Sequence, residues 1–193
     1  MKKKHIAIFA SGSGTNAENI SRFFCKHPTI KVCLILTNKP DAQVIDRAKN
    51  LGIPCHIFSR EEFYQTSFVL DELEKYDIDF IVLAGFLWLI PAYLLKDFPK
   101  RIINIHPALL PKYGGKGMYG NRVHESVIEN REKESGITIH FVNGEYDAGD
   151  IIFQAKCPVE ENDTPESLAA RVHELEYRCL PEVIESVVKK IFL

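Results

Sequence analysis

Apolar and polar positions follow two periods along the first half of the chain. Short β-branched runs at residues 5–10, 30–36, 54–58 and 79–84 predict strands. Between them, apolar residues recur every three to four positions over 15–26, 41–51 and 60–76, which predicts helices. The run 79–84 is almost continuously apolar, as expected of a strand covered on both faces in a parallel sheet. A βαβαβαβ rhythm of this kind predicts an α/β fold with a doubly wound, mostly parallel, Rossmann-like sheet.

The rhythm then changes. Residues 101–105 predict a fifth strand, followed by a Pro- and Gly-rich loop over 107–120 and a helix over 121–130. Two further strands, 136–142 and 150–159, are joined by the tight segment 143–149, so an antiparallel element is expected near the C-terminal end. A final amphipathic helix spans 165–190, with Asp163 or Thr164 as N-cap. Pro181 inside it predicts a kink or break near Cys179. Without repeats, low-complexity tracts or a linker, one domain over 1–193 is the economical expectation.

Composition narrows the partners. Twenty-four Lys and Arg against 26 Asp and Glu leave a charge of -2, which gives no support to nucleic-acid binding. A small phosphorylated ligand needs only a local pocket and stays open. Behind Met1-Lys2-Lys3-Lys4 the apolar run 6–10 is too short for a signal peptide, so it is read as a strand with a solvated basic start. No apolar stretch nears the ~20 residues that span a bilayer. The five cysteines are odd in number and lack any CxxC pair, consistent with reduced thiols and a cytoplasmic location.

Two clusters carry candidate chemistry. Ser11-Gly12-Ser13-Gly14-Thr15-Asn16-Ala17 follows the first strand and opens a helix, where backbone N–H groups can meet an anion. It fits GxGxxA, yet the second strand ends in Thr37-Asn38 rather than the acidic residue a dinucleotide site wants. Hydroxyl and amide donors suit one phosphate monoester instead. The second cluster is Asn104-Ile105-His106-Pro107 at the end of the fifth strand. Two residues apart on a strand, Asn104 and His106 project to one side, and both can donate to an oxygen gaining charge in acyl transfer. Asp147 is the expected carboxylate partner, although spacing alone does not separate it from Asp150. His140 reads as structural, and His124, Glu125 and His173 lack metal-ligand spacing, so no metal is assigned.

These pieces, in this order, resemble the glycinamide ribonucleotide formyltransferase family. The resemblance spans nearly the whole chain. It rests on the 11–16 loop, on Leu83-Ala84-Gly85-Phe86, on Asn104 through Tyr113, and on Asp147-Ala148-Gly149 ahead of Gln154-Ala155. It implies formyl transfer from 10-formyltetrahydrofolate to the amine of glycinamide ribonucleotide, with no permanently bound cofactor. It also implies Asn104, His106 and Asp147 as the catalytic trio. Ser13, Gly14, Thr15, Asn16 and Glu176 would hold the ribonucleotide. The folate would lie against Leu87, Trp88, Leu89, Ile90, Asn104, Val142, Asn143 and Asp147. Two features depart from the family pattern: Trp88 stands where many relatives carry Arg, and the 113–120 loop is longer than in some. Oligomeric state is not readable from the residues. The rival readings are a formyltetrahydrofolate hydrolase, with water in place of the amine, and a nucleotide-binding module without catalysis.

Overall fold

Alternation within each strand decides how the molecule is layered. In the first strand Ile6, Ile8 and Ala10 enter one apolar cluster while Ala7 and Phe9 enter another; in the fourth, Phe80, Val82 and Ala84 part from Ile81 and Leu83 in the same way. Both faces are therefore covered, as the apolar runs require. Each fully buried Ile or Phe contributes about 1.5–3 kcal/mol.

The computed structural model describes residues 3–192. Among them the strands are β1 (Lys4–Phe9), β2 (Ile30–Thr37), β3 (Cys55–Ile57), β4 (Phe80–Leu83), β5 (Ile102–His106), β6 (Glu134–Phe141) and β7 (Ile151–Pro158). They form one sheet in the order β3-β2-β1-β4-β5-β6-β7. Pairings among β1 to β5 are parallel, and β6 runs antiparallel to both β5 and β7. Helices α1 (Thr15–Phe24), α2 (Val44–Leu51), α6 (Asn121–Glu129) and α7 (Pro165–Phe192) pack on one face. The other face carries α3 (Arg60–Tyr64), α4 (Phe68–Lys75) and α5 (Ala92–Asp97). Chain order reverses between β1 and β4, so their C-terminal ends open the crevice where ligands gather in such sheets.

Several expectations change in detail. The helix expected over 60–76 is two helices, because Thr66 and Ser67 turn their hydroxyls on the local backbone and side chains. Thr66 Oγ1 donates to Glu62 O at 3.1 Å and accepts from Phe68 N at 3.2 Å, and Ser67 bonds Asp71 at 2.8 Å. Helix α5, which starts straight after Pro91, was not anticipated. No break occurs at Pro181: α7 continues to Phe192. A proline there leaves the Tyr177 carbonyl without its helical partner, and Asn19 Nδ2 on α1 donates to that oxygen at 2.8 Å. Burial of Leu180, Ile184 and Val188 then outweighs the roughly 3 kcal/mol a mid-helix proline costs. Thr164 caps α7, accepting from Ser167 N at 3.2 Å, while Asp163 is paired with Arg171. At the basic start, Met1 and Lys2 lie outside the described residues. Lys4 is tied to Asp79 at 3.0 Å and Lys3 to the His27 carbonyl at 2.8 Å, so these two are anchored rather than merely solvated.

Close packing of β6 on β7 leaves no room for a side chain at Gly136, where a Cβ would sit 1.9 Å from Ala155 O. Gly136→Ala should lower unfolding stability by about 1–3 kcal/mol in a urea titration. Gly12→Ala, with nothing within 4 Å of the added carbon, should stay within about 0.5 kcal/mol. Equal losses for the two would contradict this account of the β6–β7 contact.

Candidate active site

Gly14 shapes the loop that closes the crevice on the β1 side. Its φ is 73°, and a Cβ there would lie 2.4 Å from Val44 Cγ2 and 2.8 Å from Val44 Cα. Glycine is thus required twice, for the turn and for the approach of α2. The first helical bond of α1 runs from Glu18 N to Gly14 O at 2.9 Å, so the N–H groups of Thr15, Asn16 and Ala17 have no partner within the helix. Arg47 braces the loop from α2, donating to Ser13 O at 2.8 Å and pairing with Glu18. Ser11 does structural service: its hydroxyl donates to Asn38 at 2.7 Å and accepts from Leu87 N at 3.2 Å. Asn38 is buried where a dinucleotide fold would place its acidic residue.

Asn16 has a different neighbour from the one its sequence position implied. Its Nδ2 donates to Glu176 Oε2 at 2.8 Å, and His173 Nδ1 donates to the same oxygen at 2.8 Å. The Asn16 side chain therefore holds Glu176, and a phosphate at this loop would be left to backbone N–H groups and the Ser13 and Thr15 hydroxyls. The bond to Glu176 raises the His173 pKa against the opposing effect of burial. His173 also stacks on Tyr177 with ring centroids 6.1 Å apart.

At the end of β5, Ile103 and Ile105 enter the core while Asn104 and His106 turn to the opposite side and meet Asp147. Asn104 Nδ2 lies 3.3 Å from Asp147 Oδ1, and His106 Nδ1 lies 3.5 Å from Asp147 Oδ2. Gly115 N donates to Oδ2 at 2.9 Å. Asp150 is exposed, so geometry selects Asp147. Burial alone would raise the Asp147 carboxyl, but the His140 and His106 rings and the Gly115 N–H outweigh it and hold it below its ordinary value. His106 is pushed down by burial, only partly offset by Asp147 and the Tyr113 carbonyl. Its Nε2 lies 2.7 Å from Tyr113 O, and a carbonyl only accepts. The neutral ring therefore carries its proton on Nε2 and turns the Nδ1 lone pair toward Asp147. Both groups were expected to donate; in this state His106 Nδ1 presents only a lone pair, and it donates only once protonated.

Two residues on β6 adjoin these groups. His140 pairs with Asn104 across β5 and β6 rather than serving only the core, and its Nε2 lies 3.1 Å from Asn104 Nδ2. Thr138, two residues earlier on the same face, braces the 107–111 loop. Its hydroxyl donates to Ala108 O at 2.6 Å and accepts from Leu110 N at 3.0 Å and Gln154 Nε2 at 2.9 Å. Strict alternation of Thr138 and His140 with Ile137 and Ile139 was the available signal; the missing information was the register against β5. Of the expected folate segment, Leu87 is exposed, Trp88 and Leu89 are half-buried and Ile90 is buried. Trp88 packs among Phe58, Phe63, Tyr64 and Phe86, and Val142 joins the same cluster. Asn143 accepts from Glu145 N at 2.9 Å. No group of three or more His, Cys, Asp or Glu among the described residues is arranged to hold a metal ion. No described helix is long and apolar enough to cross a membrane.

A formyl transferase family model matches residues 4–184. The chain belongs to the formyl transferase family. It is 44% identical to the chloroplastic phosphoribosylglycinamide formyltransferase of Arabidopsis thaliana, over 96% of this chain and 66% of that protein. It spans 62% of the chloroplastic enzyme of Vigna unguiculata, at 41% identity over 97% of this chain. With the phosphoribosylglycinamide formyltransferase of Bacillus subtilis (strain 168) it shares 34% identity over 95% and 94% of the two chains. The crystal structure of phosphoribosylglycinamide formyltransferase from Bacillus Halodurans superposes with a TM-score of 0.86 at 36% identity, covering 97% of each chain. Family membership agrees with the expected fold and with the resemblance read from the motifs.

Three groups of this site hold fewer protons in the folded chain than in the unfolded one. His124 on α6 is pushed down to about 4, mainly by burial and then by the His173 charge. His106 shifts the same way, and so does Asp147. Their contribution to stability is complete above about pH 6.5 and fades as pH falls, first through the histidines and then, below about pH 4, through Asp147. Thermal midpoints should therefore drop between pH 6.5 and 4.5, and His124→Phe should flatten that drop. An unchanged slope in the variant would contradict the assignment.

Proposed function

We propose that the chain transfers the formyl group of 10-formyltetrahydrofolate to the amine of glycinamide ribonucleotide. The products are formylglycinamide ribonucleotide and tetrahydrofolate, a step of de novo purine synthesis. The observation that carries this reading is the meeting of Asn104, His106 and Gly115 on the Asp147 carboxylate, in the crevice closed by the glycine loop. Such a site offers donors for an oxyanion, a base with a free lone pair, and a charge that stabilises the base once protonated. Unpartnered N–H groups at the start of α1 suit the substrate phosphate, and Glu176 suits the ribose or glycinamide part.

The chemistry is direct. The amine nitrogen bonds to the formyl carbon and the carbonyl pair moves to oxygen, where Asn104 Nδ2–H steadies it. His106 Nδ1 and Asp147 lie where the amine sheds its proton. Collapse breaks the bond to the folate nitrogen, which takes a proton from protonated His106 or through water. No covalent enzyme intermediate is needed. The folate lies along 87–90 and 142–147, with Trp88 at the rim.

Asp147→Asn should lower kcat by about a hundredfold or more with little change in either KM, because its charge matters most as the imidazolium forms. Near-normal turnover in that variant, with loss in Asp150→Asn, would contradict the assignment. Formyl release should require the ribonucleotide; release into water without it would identify a hydrolase instead. Asn16→Ala frees Glu176 as well as altering the loop, so titration calorimetry should show weaker ribonucleotide binding with folate affinity nearly unchanged. Equal losses for both ligands would point to a misfolded loop.

A further inference from the structure

Asn104 has two amide hydrogens, and the structure accounts for both. One faces His140 Nε2 at 3.1 Å and the other faces Asp147 Oδ1 at 3.3 Å. Since a carboxylate only accepts, the amide must turn its nitrogen, not its oxygen, to this side. The His140 ring is fixed in turn. Its Nδ1 lies 2.8 Å from Phe141 O, so Nδ1 carries a proton and, in the neutral ring, Nε2 is left as a lone pair, 3.1 Å from Asn104 Nδ2 and 3.6 Å from Asp147 Oδ1. The ring is 2% exposed. Gly149 presses on the Phe141 carbonyl, where a Cβ would be 1.7 Å from that oxygen and 3.5 Å from His140 Nδ1. The Phe141 carbonyl therefore packs directly against the Gly149 backbone. This contact also gives a physical reason for glycine two residues after Asp147.

We propose that His140 is a positioning residue for formyl transfer: its Nε2 lone pair orients the Asn104 amide so that an N–H, never the amide oxygen, meets the formyl oxygen. This rests on the activity proposed above. The bond to Asp147 Oδ1 is the longer of the two and is the one exchanged. An arriving formyl oxygen takes the N–H that Asp147 held, while His140 keeps the other and prevents the amide from flipping. Asp147 retains Gly115 through Oδ2, and its freed Oδ1 can accept a hydrogen bond from the attacking amine. Without an acceptor at position 140 the amide can rotate, and its oxygen would then face the developing oxyanion.

The test compares His140→Leu, which fills space without accepting, with His140→Gln, whose Oε1 can accept from Asn104. Both are measured in the full chain, alone and with Asn104→Ala. Wild-type transfer is established first, so failure of the proposed activity is seen separately. For His140→Leu, kcat should fall about a hundredfold, the size of losing one oxyanion donor. Both KM values should stay within about threefold, and Gln should restore at least about tenfold. In the Asn104→Ala background His140→Leu should cost almost nothing more. An equal kcat loss in both backgrounds, or no recovery with Gln, would overturn the proposal. Nitrogen-15 NMR of the histidines gives a readout independent of turnover: His140 should be protonated at Nδ1 and bare at Nε2. A proton on Nε2 would refute it even in an inactive chain.

Discussion

A carboxylate largely removed from solvent must be surrounded by donors or lose its charge, and Asp147 meets this requirement by drawing three separate parts of the chain together. Asn104 and His106 come from β5 and Gly115 from the loop that follows, while Asp147 itself returns from the β6–β7 connection. Leaving an ion of this kind half-satisfied would cost several kcal/mol, so the 113–120 loop and the 143–149 turn are held in register with the strand between them. Beneath them lies a second layer. Thr138 and Gln154 brace the loop after His106, His140 bonds Asn104, and Gly149 packs on the carbonyl that His140 bonds. The arrangement gives His106 an unusual resting state, a buried neutral ring whose lone pair faces a carboxylate. Protonation at that nitrogen turns an unfavourable contact into an ion pair, which suits the proton-transfer role proposed for His106.

The fold was largely legible because the sheet obeys simple rules. The continuous apolar run at 79–84 meant a strand covered on both faces, and the tight segment 143–149 between two strands announced the antiparallel edge. What the sequence concealed was tertiary compensation. Pro181 carries a strong local signal for a break, overridden by Asn19 on a helix more than 150 residues earlier in the chain. Thr66 and Ser67 carry a local signal for ending a helix, hidden inside a stretch with good helical periodicity. Asn104 and His106 stood out through their place at the end of a strand. His140 did not, since a histidine in an alternating strand looks like any core histidine until the register puts it opposite Asn104. Asp147 was already favoured over Asp150, but spacing within one short polar segment did not separate them, and the turn's path does. Asn16 was recognised as part of the loop, but the partner of its amide, Glu176, lies 160 residues away.

The two halves of the site are joined through α7. Glu176 receives Asn16 from the glycine loop, and its charge also reaches His106 and His124. A ligand bridging from the start of α1 to Asp147 would therefore pass this buried carboxylate. A plain nucleotide-binding module accounts for the glycine loop alone; it assigns no purpose to the second cluster, whose burial and donor count are costly to maintain. A hydrolase would share that cluster, and the distinction lies in whether water or a bound amine reaches the formyl carbon.

All of this depends on Asp147 being ionised while partly buried. Selective carbon-13 labelling of aspartate, with the Asp147 carboxyl signal assigned by comparison with Asp147→Asn, gives its titration directly. The expected midpoint lies below the ordinary aspartate value of about 3.8 and moves upward in His106→Ala as one stabilising neighbour is removed. A midpoint at or above the ordinary value, indifferent to His106, would contradict the central claim that this carboxylate organises the site through its charge.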